Sequence, residues 1–166
     1  MFYGNVDDFK EYFTSRGKTI PETWTDEMIE SALLVSSEWL DGQYESLWIG
    51  YKVDFKQERS WPRQSAQVQS YPYYVYKNDE IPEQVVKAVY EACFRELTKS
   101  GSLQVDFTPN KYKSVSVDGA ISVEYNDILY ASESQIQMPV IQTLMSVLID
   151  QSKGGNNPIS GKASRV

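Results

Sequence analysis

Between Pro82 and Gly101 the residues Val85, Val86, Val89, Cys93 and Leu97 recur at three- and four-residue spacings, which on a helical period places them along one stripe. A helix with one apolar stripe is stable only when another element covers it, so the segment demands helical partners elsewhere in the chain. Pro82 suits the first turn, where its missing N–H costs nothing, and Gly101 suits the stop.

Three other segments can supply the cover. Val6, Phe9, Tyr12 and Phe13 share a face in a short helix over about 7–16 that Gly17 ends. Thr25 is a good N-cap, with Asp26 and Glu27 in the positive first turn, for a helix carrying Met28, Ile29, Ala32, Leu33, Val35, Trp39 and Leu40 to a stop near Gly42. After Pro139, the run Val140, Ile141, Leu144, Met145, Val147, Leu148 and Ile149 predicts a helix over about 140–150 that is apolar on more than one side. Such a helix is either central to its own domain or covered by a partner.

From Lys111 to Tyr125 the period becomes two, with Tyr112, Val115 and Val117 before Asp118-Gly119 and Ile121, Val123 and Tyr125 after it. Asp-Gly between two such runs signals a hairpin, because a type I′ turn needs positive φ at both central residues. The fold class is therefore mainly α: a small bundle of about four helices with an inserted β-hairpin over about 111–125. Residues 1–150 read as one domain. Residues 151–166, rich in Gly, Ser and Asn, read as a flexible C-terminal arm.

The chain of 166 residues contains no histidine and one cysteine, Cys93, which excludes Cys/His zinc sites, His-dependent catalytic dyads and triads and an intrachain disulfide. No enzyme activity, cofactor or metal is expected. The first eight residues lack a basic region followed by an apolar stretch, and the apolar run at 140–149 is half a membrane span, so synthesis in the cytoplasm without a membrane anchor is expected. The net charge is −7, split into −10 over residues 1–150 and +3 over the arm, which holds Lys153, Lys162 and Arg165 and no acid. An acidic body argues against broad binding to duplex DNA.

Three constellations have competing readings. Gly161-Lys162 lacks the first glycine and the Ser or Thr of a phosphate-binding loop, having Asn156 and Ala163 there. The pairs Asp7-Asp8, Asp26-Glu27 and Asp79-Glu80 read as acids complementing helix dipoles rather than as catalytic carboxylates. The long connector 52–77 carries Lys52, Lys56, Arg59, Arg63 and Lys77 beside Phe55, Trp61, Tyr71, Tyr73, Tyr74 and Tyr76. Rings among cations are the ingredients of a single-strand-binding surface. The favoured reading is structural, with Trp61, Pro62 and Arg63 anchoring the connector to the helices.

The order of motifs resembles a known family. Trp39-Leu40-Asp41-Gly42-Gln43-Tyr44 at a helix end, Ser60-Trp61-Pro62-Arg63, Ile81-Pro82-Glu83 opening a helix with Val86-Lys87-Ala88, and the run Lys113 to Tyr125 before the Pro139 helix are similar to the tailed-phage head-to-tail adaptor (connector) family, some members of which carry a DnaT-like label. The tyrosine-rich stretch after Arg63 departs from that pattern. The resemblance implies a virion protein of the phage neck, assembled as a twelve-subunit ring that joins the portal protein to the next neck or tail-completion protein. DNA would pass through the channel without specific binding.

On that reading Lys153, Lys162, Arg165 and Val166 of the arm contact the portal, and Val115, Val117, Asp118, Gly119 and Ile121 of the hairpin contact neighbouring copies or the tail side. The DnaT-like label and the aromatic, basic connector support the alternative of a single-stranded DNA-binding protein of phage replication.

Overall fold

The computed structural model describes residues 1–68, 74–103, 114–117, 121–124, 138–150 and 152–153. Helix α1 (Val6–Thr14) starts at Asn5, whose side chain accepts from the Asp8 N–H at 2.8 Å, and holds Asp7 and Asp8 in its first turn. Helix α2 (Asp26–Tyr44) is capped by Thr25, which accepts from the Met28 N–H at 3.3 Å. Two short strands, β1 (Tyr51–Lys52) and β2 (Arg63–Gln64), pair antiparallel within the connector. Helix α3 (Glu83–Thr98), strands β3 (Ser114–Val117) and β4 (Ile121–Glu124), and helix α4 (Pro139–Met145) complete a mainly helical chain.

The most extensive packing is α2 on α3, followed by α4 on α3, with α1 laid against α2. Ile29, Ala32, Leu33 and Leu40 of α2 meet Val85, Ala88, Val89, Ala92 and Cys93 of α3 in one core that also takes Phe9, Phe13, Ile141 and Met145. The alanines leave room for bulkier neighbours, as close packing requires. Phe9, Phe13, Tyr90 and Phe94 add edge-on and tilted ring contacts at 4.5–5.8 Å where α1 meets α3. Cys93 is fully buried on this face, and burial pushes its thiol pKa up, which suppresses the reactive thiolate.

Four boundaries differ from the expectations. Helix α2 runs through Gly42 to Tyr44, because Gly42 keeps a helical φ and the Glu45 N–H still bonds to the Asp41 carbonyl at 2.8 Å. Pro82 is the N-cap of α3, one position before its first turn, whereas Gly101 adopts φ +76° just past the end. Asp79-Glu80 sits in the turn before α3 and not at its start; the Glu80 carboxylate accepts from the Lys77 N–H at 3.3 Å.

The fourth difference is at α4, which ends at Met145. The chain then turns so that Ile149 bridges to Trp48. This bend brings Leu148 into the core beside Ile141 and Met145 while Val140 stays about half exposed, so the apolar run is satisfied mainly within the chain's own domain.

The hairpin register pairs Ser114 with Glu124 and Val117 with Ile121, with Val115 opposite Val123. The turn expected at Asp118-Gly119 lies outside the described residues, as do Tyr71, Tyr73 and the arm residues Lys162, Arg165 and Val166.

Candidate nucleic-acid interface

The connector between α2 and α3 divides into an inward half and an outward half. The inward half is organised by Tyr3 and Asp41. The Tyr3 hydroxyl donates to Asp41 Oδ1 at 2.9 Å and accepts from the Trp61 N–H at 2.9 Å, and Asp41 Oδ2 accepts from the Ser60 N–H at 3.2 Å. Burial raises the pKa of Asp41, an effect opposed by these hydrogen bonds and by Arg59, whose Nη1 lies 3.8 Å from Oδ2.

Two of the connector's cations also point inward. Arg59, buried, donates Nε to the Met1 carbonyl at 2.6 Å and pairs with Glu38 and Glu58 at 3.3 and 3.1 Å. Arg63, also buried, spends its guanidinium on three carbonyls, those of Ile49 at 2.9 Å, Ser60 at 3.2 Å and Gly50 at 2.9 Å, and burial lowers its pKa. A planar fork of fixed donors suits such a triple contact, which a lysine could not reproduce. Gly50 is at φ +67°, and a Cβ there would lie 2.5 Å from the Gln64 carbonyl oxygen, so glycine is required where β1 closes on β2.

Trp61 is 1% exposed and stands edge-on to Trp48, with ring centroids 5.8 Å apart, and to Tyr76 at 5.6 Å. Tyr76 in turn meets Tyr74 at 4.9 Å, so a line of rings runs from the core to the surface. Trp61 and Arg63 are thus part of the interior, with Pro62 between them half-buried.

The outward half presents a different set. Tyr51, Val53 and Phe55 alternate along the chain and are 68%, 43% and 97% exposed, and Tyr74 and Val75 are about half exposed. Lys56 and Lys77 are exposed as well, and half-buried Lys52 pairs with Glu45 at 2.6 Å. Tyr51 is tied to this region through β1, which pairs with Gln64 of β2, and Tyr74 through its carbonyl, which accepts from the Val68 N–H at 3.0 Å.

Lys153, the described cation of the arm, donates to the Trp48 carbonyl at 2.8 Å and lies 5.7 Å from the Tyr51 ring centroid. Lys153 therefore sits beside the exposed tyrosine. The connector as read from the sequence begins at Lys52 and leaves Tyr51 out; the alternation of Tyr51, Val53 and Phe55 is the signal that marks it.

Exposed rings interleaved with ammonium groups can stack bases and neutralise phosphates without reading sequence. Among the described residues no group of three or more Asp, Glu or Cys side chains could hold a metal ion, and no helix is long and apolar enough to cross a membrane. Comparison with the curated proteins and with the solved structures gives no match. Residues 3–166 match the model of a family described as "Putative DnaT-like ssDNA binding protein".

Proposed function

The chain belongs to this DnaT-like ssDNA-binding family, and we propose that it binds single-stranded DNA, without catalysis, through the outward half of its connector. The single observation that carries the reading is the exposure of Tyr51, Phe55 and Tyr74 beside Lys52, Lys56, Lys77 and Lys153. The rings stack on successive bases and the lysines track the phosphates, so recognition is of single strands in general. The net charge of −7 confines binding to this local surface.

Fluorescence anisotropy with a labelled oligothymidylate tests the proposal. Binding should be stronger than to a duplex of equal length and should weaken with salt. Four lysines at about 0.7 per phosphate contact set a slope of log affinity against log salt no steeper than about −3. No binding at low salt, or equal binding of the duplex, overturns the reading.

A second reading keeps the role implied by the resemblance to neck adaptors: a virion subunit in a ring, likewise without catalysis, joining the portal to the next neck or tail protein and lining a DNA channel. What favours it is the apolar part of the same surface, Val53, Phe55 and Val75, together with the acidic body, which suit contact with a neighbouring subunit and passage of DNA without capture. In this reading Lys153, Lys162, Arg165 and Val166 meet the portal, and Val115, Val117, Asp118, Gly119 and Ile121 meet copies or the tail side. Native mass spectrometry separates the two. A closed oligomer near twelve copies that ignores the oligonucleotide supports the ring; a monomer or small oligomer that binds it supports the first reading.

A further inference from the structure

A groove of about 450 Å³ opens beside Tyr51, at the junction of β1, the residues after β2 and the segment following α4. Its volume lies in the range of about 300–1,000 Å³ typical of small-ligand sites. Ile49 and Val68 supply apolar walls, Tyr51 stands at the mouth with its ring largely exposed, and Ser65 and Lys153 contribute a hydroxyl and an ammonium. Ser65 adopts φ +54°, the one non-glycine residue at positive φ among those described, and such strained positions cluster where a fold holds a ligand.

We propose that this groove seats one nucleotide of the bound strand, with the base against the Tyr51 ring and its 5′ or 3′ phosphate on Lys153. The inference rests on the single-strand reading above and adds to it a specific seat. The chemistry has three parts. Tyr51 offers a π-face that stacks on any base. An ammonium has three donors: the Trp48 carbonyl takes one at 2.8 Å and Asp150 Oδ2 lies 3.9 Å away, which holds Lys153 over one face of the Tyr51 ring, so the base takes the other face and the phosphate meets a positioned cation rather than a swinging one. The Ser65 hydroxyl, donor and acceptor at once, accommodates either kind of base edge, which accounts for a seat without base preference.

The test uses thymidine 5′-monophosphate as probe, followed by amide and aromatic NMR shifts of the full chain, alongside anisotropy with an oligothymidylate and an abasic deoxyribose-phosphate oligomer of equal length. Shifts centred on Tyr51, Ser65 and Lys153 are expected. Tyr51→Ala and Lys153→Ala should each weaken oligothymidylate binding about tenfold, whereas Tyr51→Phe, which keeps the ring, should bind as wild type. Circular dichroism melts establish that each variant is folded, and loss in Tyr51→Ala with recovery in Tyr51→Phe distinguishes stacking from a change of fold.

Oligothymidylate binding that survives unchanged in Tyr51→Ala and Lys153→Ala, and that still exceeds binding of the abasic oligomer, overturns the seat and leaves the single-strand reading standing; equal affinity for the abasic oligomer overturns base stacking in both. Nucleotide shifts at the groove with no oligonucleotide binding overturn both, and leave a site for a free nucleotide in their place. Absence of both removes both.

Discussion

The Trp61 indole meets the Trp48 indole edge-on, with centroids 5.8 Å apart and planes at 83°, and both rings are almost fully excluded from solvent. This contact locks the connector to the segment that follows α2 and leaves neither indole a face open to a base. Trp61→Ala is expected to cost about 3–5 kcal/mol, the usual loss for a buried Trp truncation, read as a lowered denaturation midpoint in urea. An unchanged midpoint would place Trp61 outside the core.

Tyr3 joins the N-terminal segment to α2 and the connector through one hydroxyl. Tyr3→Phe removes both its bond to Asp41 and the acceptor for the Trp61 N–H, leaving buried polar groups unpaired. The expected loss is about 1–3 kcal/mol by urea denaturation. Tyr3→Phe equal to wild type would show that these groups find other partners.

Burial holds the Asp41 pKa above its usual range in the folded chain. A carboxyl with a raised folded pKa binds its proton more tightly when folded, so its contribution to stability is fully present below the unfolded pKa and is lost as pH rises through the folded one. Carbon-13 NMR should find the Asp41 midpoint above 3.8, the ordinary aspartate value. A midpoint below it would mean that the hydrogen bonds and Arg59 outweigh desolvation.

Tyr12 donates to Glu91 Oε1 at 3.1 Å between α1 and α3, and burial, then the Glu91 charge, push its pKa up to about 12. Because the folded value exceeds the ordinary 10.0, this group stabilises the fold below pH 10 and loses that contribution as pH rises through about 12. Tyr12→Phe should flatten the decline of melting temperature between about pH 10 and 12. The same slope in both proteins would remove Tyr12 as its source.

The helical frame was legible because periodicity and caps report local physics: Asn5 and Thr25 cap, and the stripe through Val85, Val89 and Cys93 is buried as spaced. Helix ends were less so. Gly42 is a stop only where the chain takes positive φ; here it keeps a helical φ, and the backbone hydrogen bonding runs on through it to Glu45. The bend after Met145 is set by the Trp48 to Ile149 bridge, a pairing 101 positions apart that no window of sequence contains.

The candidate site was half legible. Composition located rings and cations in the connector but did not say which face inward, since the burial of Arg59 and Arg63 depends on carbonyls and acids brought by distant segments. Tyr51 and Lys153, 102 positions apart, meet only in three dimensions.

Phe55 is 97% exposed, so truncating it leaves the core intact and any loss of binding belongs to the contact with the ligand. The decisive measurement is therefore the affinity of Phe55→Ala for a labelled oligothymidylate at fixed low salt, against wild type. Removal of a stacking ring worth about 1–3 kcal/mol predicts binding weaker by about 5- to 150-fold with an unchanged melting temperature. A wild-type chain that does not bind, or a Phe55→Ala variant that binds as tightly as wild type, would contradict single-strand binding at this surface.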